Sequence, residues 1–182
     1  MTNAKRILPS ILLASLFAFT VSCKKSSDDA VTPPEVEMAE STMTFKLDGT
    51  AKTYTDCVAV GQTMDDISGL SITGSVLTVD DDFLSVYVGS KTAVATGYSA
   101  NKVFFDGVSK MQANIGLAKT GVNYNTVYTT DLSKMAIEVH ITERSATNVK
   151  GTFSGKVYSE DQDDTKTYVV SEGKFNAKMI QD

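Results

Sequence analysis

The side chains in this sequence that could do chemistry are few: one histidine, two cysteines, and carboxylates that gather in short runs. Cys57 lies in the strand-like run Tyr54-Thr55-Asp56-Cys57-Val58-Ala59-Val60, where a small buried hydrophobe is the expected role. A nucleophilic cysteine needs a base within hydrogen-bond reach, and His140 is the only histidine. His140 shares its side of an alternating stretch with Lys134, Glu138 and Thr142, opposite Met135, Ile137, Val139 and Ile141. It therefore belongs to the solvated face of a strand. One histidine is also too few for a histidine-rich zinc site, and no metal or cofactor is expected.

The carboxylates offer two further chemistries. Asp80-Asp81-Asp82 and Glu160-Asp161-Gln162-Asp163-Asp164 fall at hairpin tips, and oxygen-rich turns suit Ca²⁺. Asp161, Asp163, Thr165 and Glu172 occupy the first, third, fifth and twelfth positions of a calcium loop, but Lys166 stands where the sharp turn needs glycine. Solvated turns that discourage edge-to-edge pairing are the expected role. Glu138 and Glu143 could serve a hydrolase as paired carboxylates. Their odd spacing would put them on opposite faces of a regular strand, whereas acid–base work needs both within reach of one substrate. The expectation is a protein that is not an enzyme, with a surface hydrolase using paired carboxylates as the alternative.

The N-terminus carries a different kind of chemistry. Lys5 and Arg6 precede an apolar run over residues 7–21 and small residues leading to Cys23, the pattern of a secretory signal. Pro9 and Ser10 interrupt the run, which is shorter than the ~20 residues that cross a bilayer. Thr20-Val21-Ser22-Cys23 resembles the lipobox of bacterial lipoproteins, with Thr20 where leucine is usual. That resemblance implies acylation of the Cys23 thiol and cleavage just before it. At about 0.8 kcal/mol per buried methylene, two or three chains anchor stably where one does not. Lys24-Lys25-Ser26-Ser27-Asp28-Asp29 resembles the signals that send Bacteroidota lipoproteins to the outside of the outer membrane.

The expected organisation is thus a cleaved signal peptide over 1–22, a lipidated cysteine and flexible acidic linker over 23–41, and a globular domain over 42–182. Pro33-Pro34 among acids and small residues suits a spacer. Lipidation would keep Cys23 out of any disulfide and leave Cys57 as a free thiol. Cleavage would also remove Lys5 and Arg6, leaving 15 basic against 22 acidic residues, a net charge of −7. Nucleic acid is excluded as a partner, because no basic patch could replace phosphate counterions.

With 42% hydrophobic residues the chain can bury a core, and the period of the domain is two nearly throughout. Thr42 to Leu47 alternates before the turn signal Asp48-Gly49, and the runs at 70–79 and 83–88 form a hairpin with an acidic tip. A strand is expected over 111–118 with a loop after it carrying Gly121 and Asn123, then strands over 134–142, 149–157 and 167–179. The phase of the last changes at Glu172-Gly173, as a glycine bulge would cause. Tyr87, Tyr98, Tyr124, Tyr128, Tyr158 and Tyr168 either line a ligand pocket or fill a β core. Lipid-facing apolar bands of an outer-membrane barrel are missing.

Gly151-Thr152-Phe153-Ser154-Gly155, then Glu172-Gly173-Lys174-Phe175-Asn176, with the opening strand Met43-Thr44-Phe45-Lys46-Leu47-Asp48-Gly49, resembles a family of Bacteroidota surface lipoproteins. The resemblance spans most of 42–180 and implies an all-β fold, a single antiparallel β sandwich or calycin-like barrel held to the membrane by its lipid. It brings no catalytic residues with it. The expected role is a binding or interaction module for a small molecule, a glycan or an envelope protein.

Overall fold

Alternation of apolar and polar residues resolves into eleven strands: β1 (Thr42–Leu47), β2 (Thr50–Tyr54), β3 (Asp56–Met64), β4 (Ile67–Ser75), β5 (Phe83–Ser90), β6 (Ser99–Ala100), β7 (Ala113–Lys119), β8 (Val122–Asn125), β9 (Ile137–Arg144), β10 (Asn148–Ser159) and β11 (Thr167–Ile180). The computed structural model describes residues 37–76, 82–105, 110–129, 131–161 and 165–180. The fold is all-β. In β1, Met43, Phe45 and Leu47 are buried while Thr42, Thr44 and Lys46 take the other face. Asp48 and Gly49 have φ of 47° and 81°, the left-handed pair that a two-residue type I′ hairpin requires, so β1 folds straight back onto β2. Thr120 and Gly121 join β7 to β8 in the same way.

The strands form one sheet in the order β2-β1-β11-β3-β4-β5-β7-β8-β10-β9-β6, and β11 also pairs with β10. That extra pairing closes β11, β3, β4, β5, β7, β8 and β10 into a ring, with β1–β2 and β9–β6 as arms. The ring is not a regular barrel, because two of its seams are short: Tyr158 and Ser159 of β10 meet β8, and residues 178–180 of β11 meet β3. This architecture is consistent with a β sandwich or barrel. The β3–β11 seam is parallel, so the sheet is mixed and not antiparallel throughout as expected.

One apolar cluster fills the interior, with Met43, Leu70, Ile72, Leu84, Ile115, Ile141 and Phe175 among its fully buried members. Aromatic rings interlock edge-on within it, Phe45 with Tyr54 at 5.2 Å and Tyr124 with Tyr168 at 4.8 Å between centroids. The spine is the long β10–β11 hairpin. A Cβ at Gly151 would run into the His140 carbonyl and the Phe175 ring, so only glycine fits.

Two bulges set the faces of this spine. Phe153 pairs with Gly173 but Gly155 pairs with Val170, giving β11 one extra residue, which is the expected phase change. Glu172 takes the positive φ, 51°. Gly173 is needed for a different reason, since its Cβ would lie 2.7 Å from Phe153 ring atoms. The second bulge is on β9, where Gly151 pairs with Ile141 but Lys150 pairs with Glu143.

Some expected boundaries move. Asp131 Oδ1 accepts hydrogen bonds from Ser133 N at 3.0 Å and Ser133 Oγ at 2.6 Å, which winds Leu132–Lys134 into a 3₁₀ turn and delays β9 to Ile137. The expected loop at Asn123 is the short strand β8. Residues 37–41, grouped with the linker by sequence, lie on the spine: Lys150 Nζ is 3.0 Å from Glu37 Oε1, and Asn176 Nδ2 donates to the Met38 carbonyl at 2.8 Å. Cys23 and the Lys24 to Asp29 stretch lie outside the described residues.

Candidate functional site

The outward side of β2, β1, β11, β10, β9 and β6 is an open face of polar side chains. Because adjacent strands are in register, residues far apart in the chain form a row. Thr53 pairs with Thr44, Thr44 with Lys174, Lys174 with Thr152, Thr152 with His140, and His140 with Ser99. Strand spacing is about 4.8 Å, so the row presents hydroxyl, ammonium and imidazole groups at regular intervals. Thr44, Thr152, Ser154 and Lys174 line a cleft of about 470 Å³ together with Glu138 and Glu172, beside the β11 bulge.

His140 lies on this outer face, as expected, and Ser99 Oγ sits 2.6 Å from its Nδ1. A serine bonded to a histidine is the beginning of a nucleophile–base pair, but the base also needs a group to orient it. Among the described residues no carboxylate bonds the other ring nitrogen of His140. What the contact does here is fix the imidazole on the face. Cys57 points the opposite way, into the core. Burial first, and the Asp56 charge second, push its thiol up to about 12, so it is neutral and inert, and it forms no pair with His140.

Glu138 and Glu143 behave differently from the parity argument. The β9 bulge turns Glu143 to the same outer side as Glu138, where Lys150 Nζ lies 3.1 Å from Glu143 Oε2. Glu138 faces Ser154 and Glu143 faces Lys150, four residues apart on β10, which is about 13 Å at strand rise. Paired-carboxylate catalysis uses separations of about 5–9.5 Å, so these two do not form such a pair. Lys150 is held between Glu37 and Glu143, which keep its ammonium above the usual lysine range, and Glu172 is taken by Lys46 at 2.7 Å.

The calcium reading gains nothing from this placement. Glu172 sits at the bulge with Lys46, the Asp161 amide donates a hydrogen bond to Ser159 Oγ, and Asp163 lies outside the described residues. No group of three or more His, Cys, Asp or Glu among the described residues is placed to hold a metal ion. In the other acidic run, Asp82 Oδ1 accepts from Thr120 N at 2.9 Å and ties the start of β5 to the β7–β8 turn; Asp80 and Asp81 lie outside the described residues.

Five of these six tyrosines pack or bond within the fold. Tyr124 and Tyr168 are core rings, the Tyr98 hydroxyl donates to the Gly89 carbonyl, and the Tyr158 hydroxyl donates to the Lys134 carbonyl, each at 2.7 Å. Tyr87 lies against Gly69 and Gly89, where a Cβ would meet its hydroxyl at 2.7 and 2.8 Å. Tyr128 is exposed. The sequence did not show Ser99, Thr44, Thr152 and Lys174 as one row. Their outward parity was legible, but their adjacency across strands was not.

No protein family, no curated protein and no solved structure matches this chain. Among the described residues no helix is long and apolar enough to cross a membrane.

Proposed function

We propose that this chain is an outer-membrane lipoprotein of the Bacteroidota surface type, acylated at Cys23 and facing the cell exterior, whose domain is a binding module. Its ligand is polar, a glycan in the first instance or a glycan-bearing envelope protein, and is held on the open face. The observation that carries this reading is the row Thr44, Lys174, Thr152, His140 and Ser99 across five strands. Donors and acceptors fixed on a rigid sheet complement a polyhydroxylated surface with little ordering cost on the protein side. The tightly filled interior supports an external site over an enclosed one.

The address and the binding are tested separately. Cys23→Ala is expected to abolish lipid labelling and membrane retention, and protease added to intact cells is expected to degrade the wild-type domain. Protection of that domain would sink the surface assignment. Mature protein in detergent is expected to retain glycans on an array; retention of none would remove the glycan ligand.

A further inference from the structure

Arg144 is the only arginine after residue 6, in a domain that otherwise uses lysine. The difference matters, because a guanidinium is a rigid fork of donors matched to a carboxylate, whereas an ammonium is a mobile point charge. Several lysines have evident partners: Lys46, Lys110, Lys134 and Lys150 meet carboxylates, and Lys91, Lys119, Lys156 and Lys166 lie over aromatic rings. Arg144 has neither among the described residues. Half-buried, it uses one donor on the Val94 carbonyl, while its backbone amide donates to Thr96 Oγ1 at 2.9 Å.

The β9 bulge explains where this cation goes. Without the extra residue Arg144 would share the outer face with Glu138 and His140. With it, Glu143 turns outward and Arg144 pairs with Val149, whose side chain is inward. Bulges at sheet rims re-aim side chains in this way. Arg144 is thereby brought to the rim of the ring, into a cleft of about 270 Å³ shared with Gln62, Thr63, Ser68 and Ala93.

We infer that this rim cleft is a second binding site, one that takes the carboxylate of a small acidic sugar. A half-buried guanidinium with no carboxylate beside it among the described residues gains from an anion that replaces the hydration it has lost. One fork matches one carboxylate. A phosphate, with nearly two charges, would want a second cation, and Arg144 is the one cation among the residues that line the cleft. Gln62, Thr63 and Ser68 supply hydroxyl and amide groups for ring hydroxyls, and Ala93 is the only apolar side chain in the lining, which does not suit the side chain of a peptide C-terminus. The volume fits one sugar ring.

Mature lipoprotein in detergent, titrated with D-glucuronate, D-glucose and inorganic phosphate by calorimetry, tests the assignment. Saturable glucuronate binding is expected, with glucose and phosphate each weaker by about tenfold or more. Arg144→Lys should cost about tenfold, because it keeps the charge and loses the fork. Arg144→Gln should abolish binding. Since Arg144 also holds Val94, Ser68→Ala serves as a variant that leaves that contact alone, expected to weaken glucuronate several-fold. Equal binding of glucose, tighter binding of phosphate, no glucuronate binding by wild type, or full binding by Arg144→Gln would each overturn the assignment.

Discussion

Along the β10–β11 hairpin one backbone serves two surfaces of opposite character. Inward, Val149, Phe153, Val157, Phe175 and Ala177 are buried against the rest of the ring, and Gly151 and Gly173 leave no room for a methyl group. Outward, Lys150, Thr152, Ser154 and Lys174 stand on an open face whose ion pairs are largely solvent-exposed. The inner surface holds free energy in packing; the outer one holds information, as a fixed arrangement of donors and acceptors. Exposed pairs such as Lys46–Glu172 contribute only about 0–1 kcal/mol, so the outer face is free to be selected for binding.

The sharpest way to break this division is from inside. Phe175→Ala should cost about 3–5 kcal/mol, the usual cost of deleting a fully buried ring, and lower the melting temperature by roughly 10 °C or more for a domain of this size. A loss under about 1 kcal/mol in chemical denaturation would show that the interior is not packed as described.

A second, smaller effect follows from two buried acids. Burial, then the Asp56 charge, raises Cys57 to about 12, and burial, then the Asp82 charge, raises Tyr54 to about 12. Both are neutral in the fold and would ionise near 9 and 10 once unfolded. Their contribution is therefore complete below about pH 9 and is lost as pH rises toward 12. Stability should fall by about 2 kcal/mol from Cys57 alone by roughly pH 10.5, and Cys57→Ala should flatten that limb. Thiol reagents at neutral pH should label Cys57 only after denaturation; fast labelling of native protein would contradict its burial.

The smallest effect is at the junction of the two surfaces. Glu172 bears a left-handed φ that glycine adopts freely. Glu172→Gly should relieve about 1 kcal/mol of backbone strain and lose an exposed ion pair worth as little as nothing. The expected result is a melting temperature equal to or a few degrees above wild type. A clear fall would mean that the Lys46 contact matters more than the strain.

Much of the inner surface was legible in the sequence, because burial follows a period of two that any strand must obey. The hairpin turn at Asp48-Gly49 and the phase change at Glu172-Gly173 carried their own local chemistry. β2, β6 and β8 were not legible, being short and largely polar, and β6 supplies Ser99. The β9 bulge carries no glycine or proline to mark it, so parity misplaced Glu143. The open-face row lay hidden for a further reason: alternation tells which way a side chain points and nothing about which strand lies beside it.

The direct test of the central claim, that the outer face binds while the inner face holds the fold, is a glycan array probed with mature wild-type protein and a Thr152→Ala/Lys174→Ala double variant. Wild type is predicted to retain a defined set of glycans. The double variant should lose about tenfold or more of that signal while its melting temperature stays within about 2 °C, the range of a surface change. An unchanged binding pattern, or loss of binding only together with a collapse in melting temperature, would contradict the account.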